Sequence, residues 1–319
     1  MGGNINDLQF ELEQKRVYLA GHRGLVGSAV FKRLQKEKCD IITVEHEELD
    51  LTRQKDVEVW LYENRPDVVI IAAARVGGIL VNSFQPADFI YDNLVIETNI
   101  IHGSWKVGVK KLVFLGSSCI YPKMSSQPIK EESLLSGPLE PTNEWYSIAK
   151  IAGVKMIQAY RRQYRVDFIS VMPTNLYGPN DNYDLESGHV VPALMRKIHE
   201  SKIHRNKIVN IWGTGKPKRD FIHVDDLADA IVFLLHNYSG EVPLNIGSGK
   251  EISIHELADM IADVIGYEGI FKFDTTKPNG APRKILDISK ISALGWEPRI
   301  SLRNGLRQTY EWYLRNVAR

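Results

Sequence analysis

The chain has 319 residues, of which 44% are hydrophobic, so it can bury a sizeable core and is long enough for two domains. Forty basic residues nearly balance 39 acidic ones, which argues against proteins that bind nucleic acids or membrane surfaces, since both classes need a basic excess. The two cysteines, Cys39 and Cys119, do not suggest a disulfide framework and instead favour a reducing compartment.

Targeting signals are not expected. Residues 1–14 are a polar, acidic N-terminal extension without the basic and apolar segments of a secretion signal. No apolar run reaches the roughly 18 residues of a membrane span. We therefore predict a cytoplasmic protein with neither a membrane nor a nucleic acid as partner.

From residue 16 onward, short apolar runs alternate with longer helical stretches. Strands are predicted at residues 17–20, 41–44, 68–73, 111–115 and 167–171, and helices at residues 25–36, 54–63, 86–107 and 143–163. Continuous apolar strands flanked by helices indicate a parallel sheet covered on both faces. The pattern predicts an α/β protein with a doubly wound parallel sheet, the Rossmann arrangement.

The regular alternation ends after Pro173, where Pro, Gly and Asn cluster in residues 173–180. Helices near 192–200 and 254–265 predict a smaller, discontinuous α/β substrate domain, and residues 225–235 and 244–246 indicate a return to the first sheet. We assign residues 15–175 and about 219–247 to the cofactor domain, and about 176–218 and 248–319 to the substrate domain. Ligands of open α/β sheets bind beyond the carboxyl ends of the strands, which predicts a site between the two domains.

A glycine-rich loop directly follows the first predicted strand. Its sequence is GHRGLVG at residues 21–27, and it opens the first predicted helix. Glycines let backbone N–H groups approach a pyrophosphate, and the helix N-terminus favours an anion. Any strand-to-helix turn can carry glycines, but the position in the first βα unit favours a dinucleotide site. The predicted cofactor contacts here are Gly21, Arg23, Gly24, Leu25, Val26 and Gly27.

The choice between NAD and NADP is ambiguous at the end of the second strand, where the sequence is VEHEE at residues 44–48. A carboxylate there would bind a ribose 2′-hydroxyl, whereas a basic residue would bind a 2′-phosphate. Arg23 is either a phosphate partner, since guanidinium suits phosphate, or a solvated loop cation. Asp50 and Leu51 are predicted to meet the adenine, and Ala73 to line the cofactor.

Tyr146 and Lys150 lie one turn apart on a predicted helix, so both project from the same face. We expect the Lys150 ammonium to lower the pKa of the Tyr146 phenol from its usual value near 10. Ser117, at the end of a strand, would hold a carbonyl oxygen by a hydrogen bond. A Tyr and a Lys at this spacing also occur on ordinary amphipathic helices. Combined with the glycine loop, they predict proton transfer to a carbonyl oxygen as a hydride reaches its carbon.

Cys119 and His189 suggest a second kind of chemistry. Alone, Cys119 reads as a small hydrophobic residue and His189 as a surface or capping histidine. Together, a thiol and an imidazole could act as base and acid on carbons next to a ketone, with Ser117 and Tyr146 stabilising the enolate oxygen. One site could then carry out proton abstraction and hydride transfer in sequence.

Several longer motifs carry a family resemblance over residues of about 16 to 312. They are ARVGGI at residues 74–79, GSSCIYPK at 116–123, LEPTN at 139–143, YSIAKIAG at 146–153, MPTNLYGP at 172–179 and HVVPAL at 189–194. With these motifs the chain resembles the extended short-chain dehydrogenases/reductases and, more closely, the GDP-L-fucose synthase family.

The resemblance implies an activity and a set of roles. Ser117, Tyr146 and Lys150 would form the reductase triad, Cys119 would be the epimerisation base, and His189 the acid. The reaction would be 3,5-epimerisation and NADPH-dependent 4-keto reduction of GDP-4-keto-6-deoxy-D-mannose to GDP-L-fucose. NADP(H) would be the cofactor, no metal is expected, and a homodimer would form through the helices near 90–107 and 145–162. Further implied cofactor contacts are His46, Pro173, Asn175, Leu176 and His189.

The resemblance also implies sugar-nucleotide contacts. Trp212 offers a stacking face, and Lys197 and Arg219 offer charge for a pyrophosphate. The other implied substrate contacts are Ser118, Cys119, Asn175, Arg283 and Asp287. Some family members carry Arg where this chain has His46. Arg23 is therefore the main basic residue here that is expected to favour NADP over NAD.

Two alternatives stay open from the sequence. A nucleotide-sugar 4-epimerase or 4,6-dehydratase would use a retained NAD and the same scaffold, although a dehydratase is expected to carry an acidic pair where Ser118 and Cys119 stand. A non-catalytic dinucleotide sensor would keep the glycine loop and lose the Tyr146–Lys150 couple.

Overall fold

A computed structural model describes residues 10–277 and 279–318. Its elements in chain order are β1 Arg16–Ala20, α1 Leu25–Leu34, β2 Asp40–Ile42, α2 Gln54–Asn64, β3 Val68–Ile71, α3 Ile79–Phe84, α4 Pro86–Lys106, β4 Lys111–Leu115, α5 Glu144–Tyr164, β5 Asp167–Pro173, β6 Asn175–Tyr177, α6 Val190–Ile203, β7 Ile208–Trp212, β8 Lys218–His223, α7 Val224–Asn237, β9 Leu244–Ile246, β10 Glu251–Ser253, α8 Ile254–Ile265, β11 Ile270–Asp274, β12 Arg283–Lys284, α9 Ser289–Ala293 and α10 Leu302–Asn316.

The central sheet is parallel, and among the described residues its strand order is β2-β1-β3-β4-β5-β9. The strands β3 and β4 are buried along their whole length, as expected of continuous apolar runs in a sheet with two covered faces. Helices α1 and α7 pack together on one face, and α2, α4 and α5 pack on the other. The predicted doubly wound sheet is confirmed.

The described part of the N-terminal extension is attached to this sheet. Leu12 is fully buried in the core beneath α1 and α7, and the Phe10 N–H donates to the His236 carbonyl over 3.0 Å. Residues 1–9 of the predicted extension lie outside the described residues.

A second region contains shorter strands in different directions. Strand β8 pairs antiparallel with β10 and parallel with β12 and β6, while β7 and β11 form a parallel pair. The sequence-based boundaries assign residues 219–223 to the cofactor domain, whereas the structure places them in β8 of this second region. Strand β9 returns to the central sheet beside β5, as predicted.

The two regions meet at the carboxyl ends of β1, β3, β4 and β5. The chain crosses directly from β5 to β6 through Thr174, whose hydroxyl donates to the Asp220 carbonyl over 3.2 Å. This crossing point ties the second region to the edge of the sheet where ligands of open α/β sheets bind. No helix of the described residues has the length and apolarity that crossing a membrane requires.

Candidate active site

A cleft of about 1350 Å³ lies between the two regions. Its walls include every predicted catalytic and cofactor-contacting residue and all but one of the predicted substrate contacts. The predicted residues that line it are Gly21, Arg23, Gly24, Leu25, Val26, Gly27, His46, Asp50, Leu51, Ala73, Ser117, Ser118, Cys119, Tyr146, Lys150, Pro173, Asn175, Leu176, His189, Lys197, Trp212, Arg219 and Arg283.

The glycine loop at the end of β1 leaves no room for a side chain at Gly21 or Gly27. Gly21 has a φ of +84°, and a Cβ there would lie 2.7 Å from the Ala73 backbone. A Cβ on Gly27 would lie 2.0 Å from the Gly21 carbonyl oxygen. Helix α1 begins at Leu25 with Gly24 as its N-cap and no side-chain cap, and its first three residues line the cleft, where the N–H groups of a first helical turn can bind a ligand. These features fit the pyrophosphate of a dinucleotide.

At the adenosine end, Arg23 contacts the carboxylate that follows β2. Its guanidinium lies 2.7 Å from Glu45, and His22 lies 3.4 Å from the same carboxylate. His46 is exposed on the cleft wall. The Asp50 carboxylate accepts hydrogen bonds from the Thr52 N–H and hydroxyl, which lower its pKa. Arg23 is thus ion-paired with Glu45 on the cleft wall beyond β2.

Tyr146 lies at the start of α5, within hydrogen-bond reach of Ser117. Burial raises the pKa of the Tyr146 phenol well above its ordinary value, and the neighbouring Cys119 and Glu97 raise it further, while the Ser117 hydroxyl offsets part of this effect. The net direction is thus opposite to the one expected from the neighbouring Lys150, because burial is the largest cause. Burial thus favours the protonated phenol.

The Lys150 ammonium lies against a carboxyl group of α4. It pairs with the Glu97 carboxylate at 2.8 Å, and both side chains are only 2% exposed. Its Nζ lies 5.9 Å from the centre of the Tyr146 ring. Burial raises the pKa of the Glu97 carboxyl, and Lys150 offsets part of that rise.

Cys119 sits in a short 3₁₀ turn, Ser118–Ile120, just after β4. The Lys284 ammonium lies 3.3 Å and the Asn143 amide 3.2 Å from its Sγ. Burial by itself would raise the pKa of the thiol, but Lys284, the Ser117 hydroxyl and Arg219 together bring it below the ordinary value. The surroundings favour the thiolate, which suits a base.

His189 is the N-cap residue of α6 and is 48% exposed at its side chain. Its Nδ1 lies 3.8 Å from the Asp181 carboxylate, which is 4% exposed. The backbone beside it is fixed from the other region, because the Gly78 N–H donates to the Ser187 carbonyl over 2.9 Å. An imidazole in contact with both the cleft and solvent can deliver a proton and recover it.

At the far end of the cleft, two ammonium groups lie near the Trp212 ring. The distance to the ring centre is 5.1 Å from Lys197 and 5.5 Å from Lys277. Burial lowers the pKa of Lys197 and of Arg219. Arg283 forms an ion pair with Glu251 at 2.6 Å while still lining the cleft.

Asp287 does not line the cleft, so its predicted role as a substrate contact is not supported by its position. Its carboxylate accepts the Ser289 N–H over 2.9 Å at the start of α9, and its own N–H donates to the Ile129 carbonyl over 2.8 Å. The motif of residues 283–287 turns away from the cleft after β12, leaving Arg283 and Lys284 on the wall.

The sequence interpretation missed Glu97, Asn143 and Lys284. Asn143 lies in a motif that carried the resemblance, but its amide was not assigned a role. Lys284 is 165 positions from Cys119, and only the fold brings them together. Glu97 carries a weak signal, because it is an acidic residue directly after the apolar run of residues 94–96 on a helix predicted to pack against the sheet.

The fold and the cleft define a dinucleotide-dependent enzyme that acts on a carbonyl group. The model of the NAD dependent epimerase/dehydratase family matches residues 17–247. A GDP-L-fucose synthase from Sinorhizobium fredii is 57% identical over 307 residues, which cover 96% of this chain and 98% of the relative. A GDP-L-fucose synthase from Escherichia coli is 48% identical over 319 residues, covering 97% and 99%.

Among solved structures, a GDP-L-fucose synthetase from Naegleria fowleri bound to NADP superposes with a TM-score of 0.90 at 29% identity, and covers 98% of both chains. The chain belongs to the GDP-L-fucose synthase family, within the NAD dependent epimerase/dehydratase family.

Proposed function

We propose that this enzyme converts GDP-4-keto-6-deoxy-D-mannose to GDP-L-fucose, by inversion at C3 and C5 followed by NADPH-dependent reduction at C4. The observation that carries the proposal is a single cleft that holds both a hydroxyl pair, Ser117 and Tyr146, and a thiol whose pKa is lowered, Cys119. The relatives named GDP-L-fucose synthase support the choice of substrate.

Epimerisation begins with proton removal from a carbon next to the ketone. The Cys119 thiolate takes the proton, and the electron pair of the C–H bond moves to the keto oxygen as an enolate. Hydrogen bonds from Ser117 and Tyr146 stabilise that oxygen. His189 then supplies a proton to the opposite face of the carbon. Exchange with solvent restores both groups, since His189 is half exposed.

Reduction follows at the same oxygen. NADPH, when bound, would supply a hydride for C4. As the C4–O bond becomes an alkoxide, Tyr146 donates its phenolic proton to the oxygen and Ser117 holds the geometry. The glycine loop and Arg23 hold the cofactor, with His46, Asp50, Leu51, Ala73, Pro173, Asn175 and Leu176 as further wall residues.

The nucleotide end of the substrate is assigned to the second region. We infer that Trp212 offers its ring to the purine and that Lys197 and Arg219 face the pyrophosphate. Partial desolvation strengthens such pairing, because both cations have little competing water.

The direct test is NADPH oxidation in the presence of the 4-keto-6-deoxy sugar nucleotide. The proposal predicts one NADPH consumed per product formed, with competition by GDP and much weaker competition by UDP and dTDP. A dinucleotide sensor would show no turnover, and an enzyme with a retained NAD would not consume NADPH stoichiometrically.

Arg23→Ala is expected to raise the KM for NADPH about 10-fold, because a charge-assisted hydrogen bond to a phosphate contributes about 1.5–3 kcal/mol. The KM for NADH should change less than about 2-fold. The measurement is steady-state kinetics with both cofactors, with Arg307→Ala, an exposed arginine on α10 away from the cleft, as the control. Equal effects on both cofactors, or an NADH preference in the unaltered enzyme, would contradict the assignment.

Lys284→Met is expected to raise the pKa of Cys119, because it removes the nearest positive charge. Exchange of substrate C3 and C5 protons with solvent, measured by NMR without NADPH, requires the thiolate. The acidic limb of the pH profile of this exchange rate should therefore move to higher pH by about one unit. Lys250→Met, an exposed lysine, is the matched control. An unmoved limb would show that Lys284 does not set the state of the thiol.

Three further assignments are proposals. The exposed Tyr91 on α4, 64% accessible, and the exposed Ile148 on α5 support a homodimer through these helices. A free thiol in catalysis supports a reducing cytoplasm. We also retain a division into cofactor and substrate domains, with its boundary at β8.

A further inference from the structure

The loop that carries His189 connects β6 to α6 and is attached to the cofactor region at two points. Near its start, the Asn180 amide donates to the Ser28 hydroxyl on α1 over 3.0 Å. Near its end, the Ser187 carbonyl accepts the Gly78 N–H over 2.9 Å. The loop is therefore fixed on both sides of the residue proposed as the acid of the epimerisation.

Asp181 lies in this loop, directly after the first attachment point. Its side chain is 4% exposed, and its Oδ1 accepts the Asn182 N–H over 2.8 Å. Its Oδ2 is closed to solvent and has no hydrogen-bond partner among the described residues. A buried carboxylate oxygen is costly unless a donor reaches it, so this position in the loop requires a reason.

The imidazole of His189 is the donor that the geometry offers. Its Nδ1 lies 3.8 Å from Asp181 Oδ1, and among the described residues no other basic side chain comes within ion-pair distance of this carboxylate. The separation is longer than a hydrogen bond, but contacts between catalytic groups are often long before substrate binds and shorten afterwards. His189 lines the cleft, so a contact through Nδ1 leaves Nε2 for the substrate.

We propose that Asp181 is a positioning residue that orients His189 through Nδ1, so that Nε2 delivers the proton that completes each inversion. This inference rests on the proposed function. A hydrogen bond from Nδ1–H to a carboxylate fixes both the direction of the ring and its tautomer. After Nε2 gives its proton to carbon, the remaining proton stays on Nδ1, and Nε2 takes a new proton from solvent.

The enolate that Cys119 forms has two fates, and their ratio reports on the acid. A proton returned from the Cys119 side restores the starting configuration, whereas a proton from His189 gives the inverted carbon. In D₂O, the first outcome places deuterium in recovered substrate and the second places it in the epimer. Misplacing His189 should therefore raise the ratio of deuterium with retention to deuterium with inversion.

The test is the variant Asp181→Asn, which keeps the shape and removes the charge. Without NADPH, inversion at C3 and C5 should slow by about 10–100-fold, as part of the roughly 10²–10⁴-fold contribution of a positioned acid. The ratio of retention to inversion should rise, while the KM for the sugar nucleotide changes less than about 3-fold. Asp181→Glu, which keeps a carboxylate, should give a ratio between the two.

The matched control is Asp184→Asn in the same loop. The Asp184 carboxylate does not line the cleft, and it accepts the Ser187 N–H and hydroxyl over 2.8 Å each. This variant weakens the turn but leaves the contact between Asp181 and His189. Its ratio of retention to inversion should equal that of the unaltered enzyme, which separates an effect on the imidazole from an effect on loop stability.

A double variant shows whether Asp181 acts through the imidazole. If it does, Asp181→Asn/His189→Gln should invert C3 and C5 at the rate of His189→Gln alone, within about 2-fold. A further loss of the size seen for Asp181→Asn in the unaltered background would show that the carboxylate acts by another route and would overturn the inference.

A last readout uses the protein without substrate. Above the titration range of histidine, ¹⁵N NMR should show the His189 proton on Nδ1, and Asp181→Asn should move it to Nε2. His189→Gln assigns the signal, and Asp181→Glu is measured if Asp181→Asn is unfolded by circular dichroism. Either an unchanged tautomer or an unchanged ratio would refute the role of Asp181. The proposed function fails separately, if the unaltered enzyme neither exchanges nor inverts C3 and C5, and the tautomer still decides the inference.

Discussion

Cys119→Ser is expected to stop inversion at C3 and C5. A serine hydroxyl in the same place is far less acidic than a thiol and is not ionised by the Lys284 ammonium 3.3 Å away. Loss of a positioned base typically costs about 10²–10⁴ in rate. We therefore expect exchange of the C3 and C5 protons with solvent to fall by at least about 100-fold.

The product formed by this variant is the more informative readout. Hydroxyl donors remain, so NADPH is still consumed slowly and the product keeps the configuration of the substrate at both carbons. The control is Cys39→Ser, a thiol away from the cleft, which should form GDP-L-fucose normally. Full epimerisation by Cys119→Ser would remove Cys119 as the base.

Tyr146→Phe is expected to separate the two reactions in the opposite way. The variant lacks the proton that the alkoxide at C4 needs, so the rate of NADPH oxidation should fall by about 10²–10⁴. Solvent exchange at C3 and C5 should fall less, because Ser117 still donates to the enolate oxygen and Cys119 is intact. Both rates can be measured on the same sample, by single-turnover NADPH oxidation and by NMR detection of solvent exchange at C3 and C5.

The control for this variant is Tyr62→Phe, which changes a tyrosine that is 64% exposed on α2. Equal loss of both reactions would indicate that Tyr146 acts in the enolate step as strongly as in reduction. Reduction at the unaltered rate would exclude Tyr146 as the acid.

The parallel sheet could be predicted because its strands are fully buried apolar runs. In β3 and β4 every residue is buried, which makes the sequence signal continuous. The second region gave a weaker signal, since β7 alternates buried and exposed positions over five residues and β6, β10 and β12 are three residues or fewer. Such short segments look like loops until their partners are known, which is why β8 was placed in the cofactor domain.

The parts of the site that could be predicted are those where a sequence motif lies at the end of a strand or on the helix that follows it. The glycine loop, Ser117 and the Tyr146–Lys150 couple all follow from the position of β1, β4 and α5. The charge around them was not predictable, because it depends on pairs distant in sequence. Lys284 reaches Cys119 from β12, and Glu97 reaches Lys150 from α4. The pKa of Tyr146 was predicted to fall but is raised, chiefly because the phenol is buried, which the spacing of Tyr146 and Lys150 does not reveal.

The most direct test of the central claim is to run the complete reaction in D₂O with NADPH and GDP-4-keto-6-deoxy-D-mannose, and to examine the product by NMR. If one cleft holds the ketone while both neighbouring carbons are inverted, the product is GDP-L-fucose with deuterium at C3 and C5 and a hydrogen from NADPH at C4. A reduced product that retains the starting configuration and carries no deuterium at C3 or C5 would contradict the account.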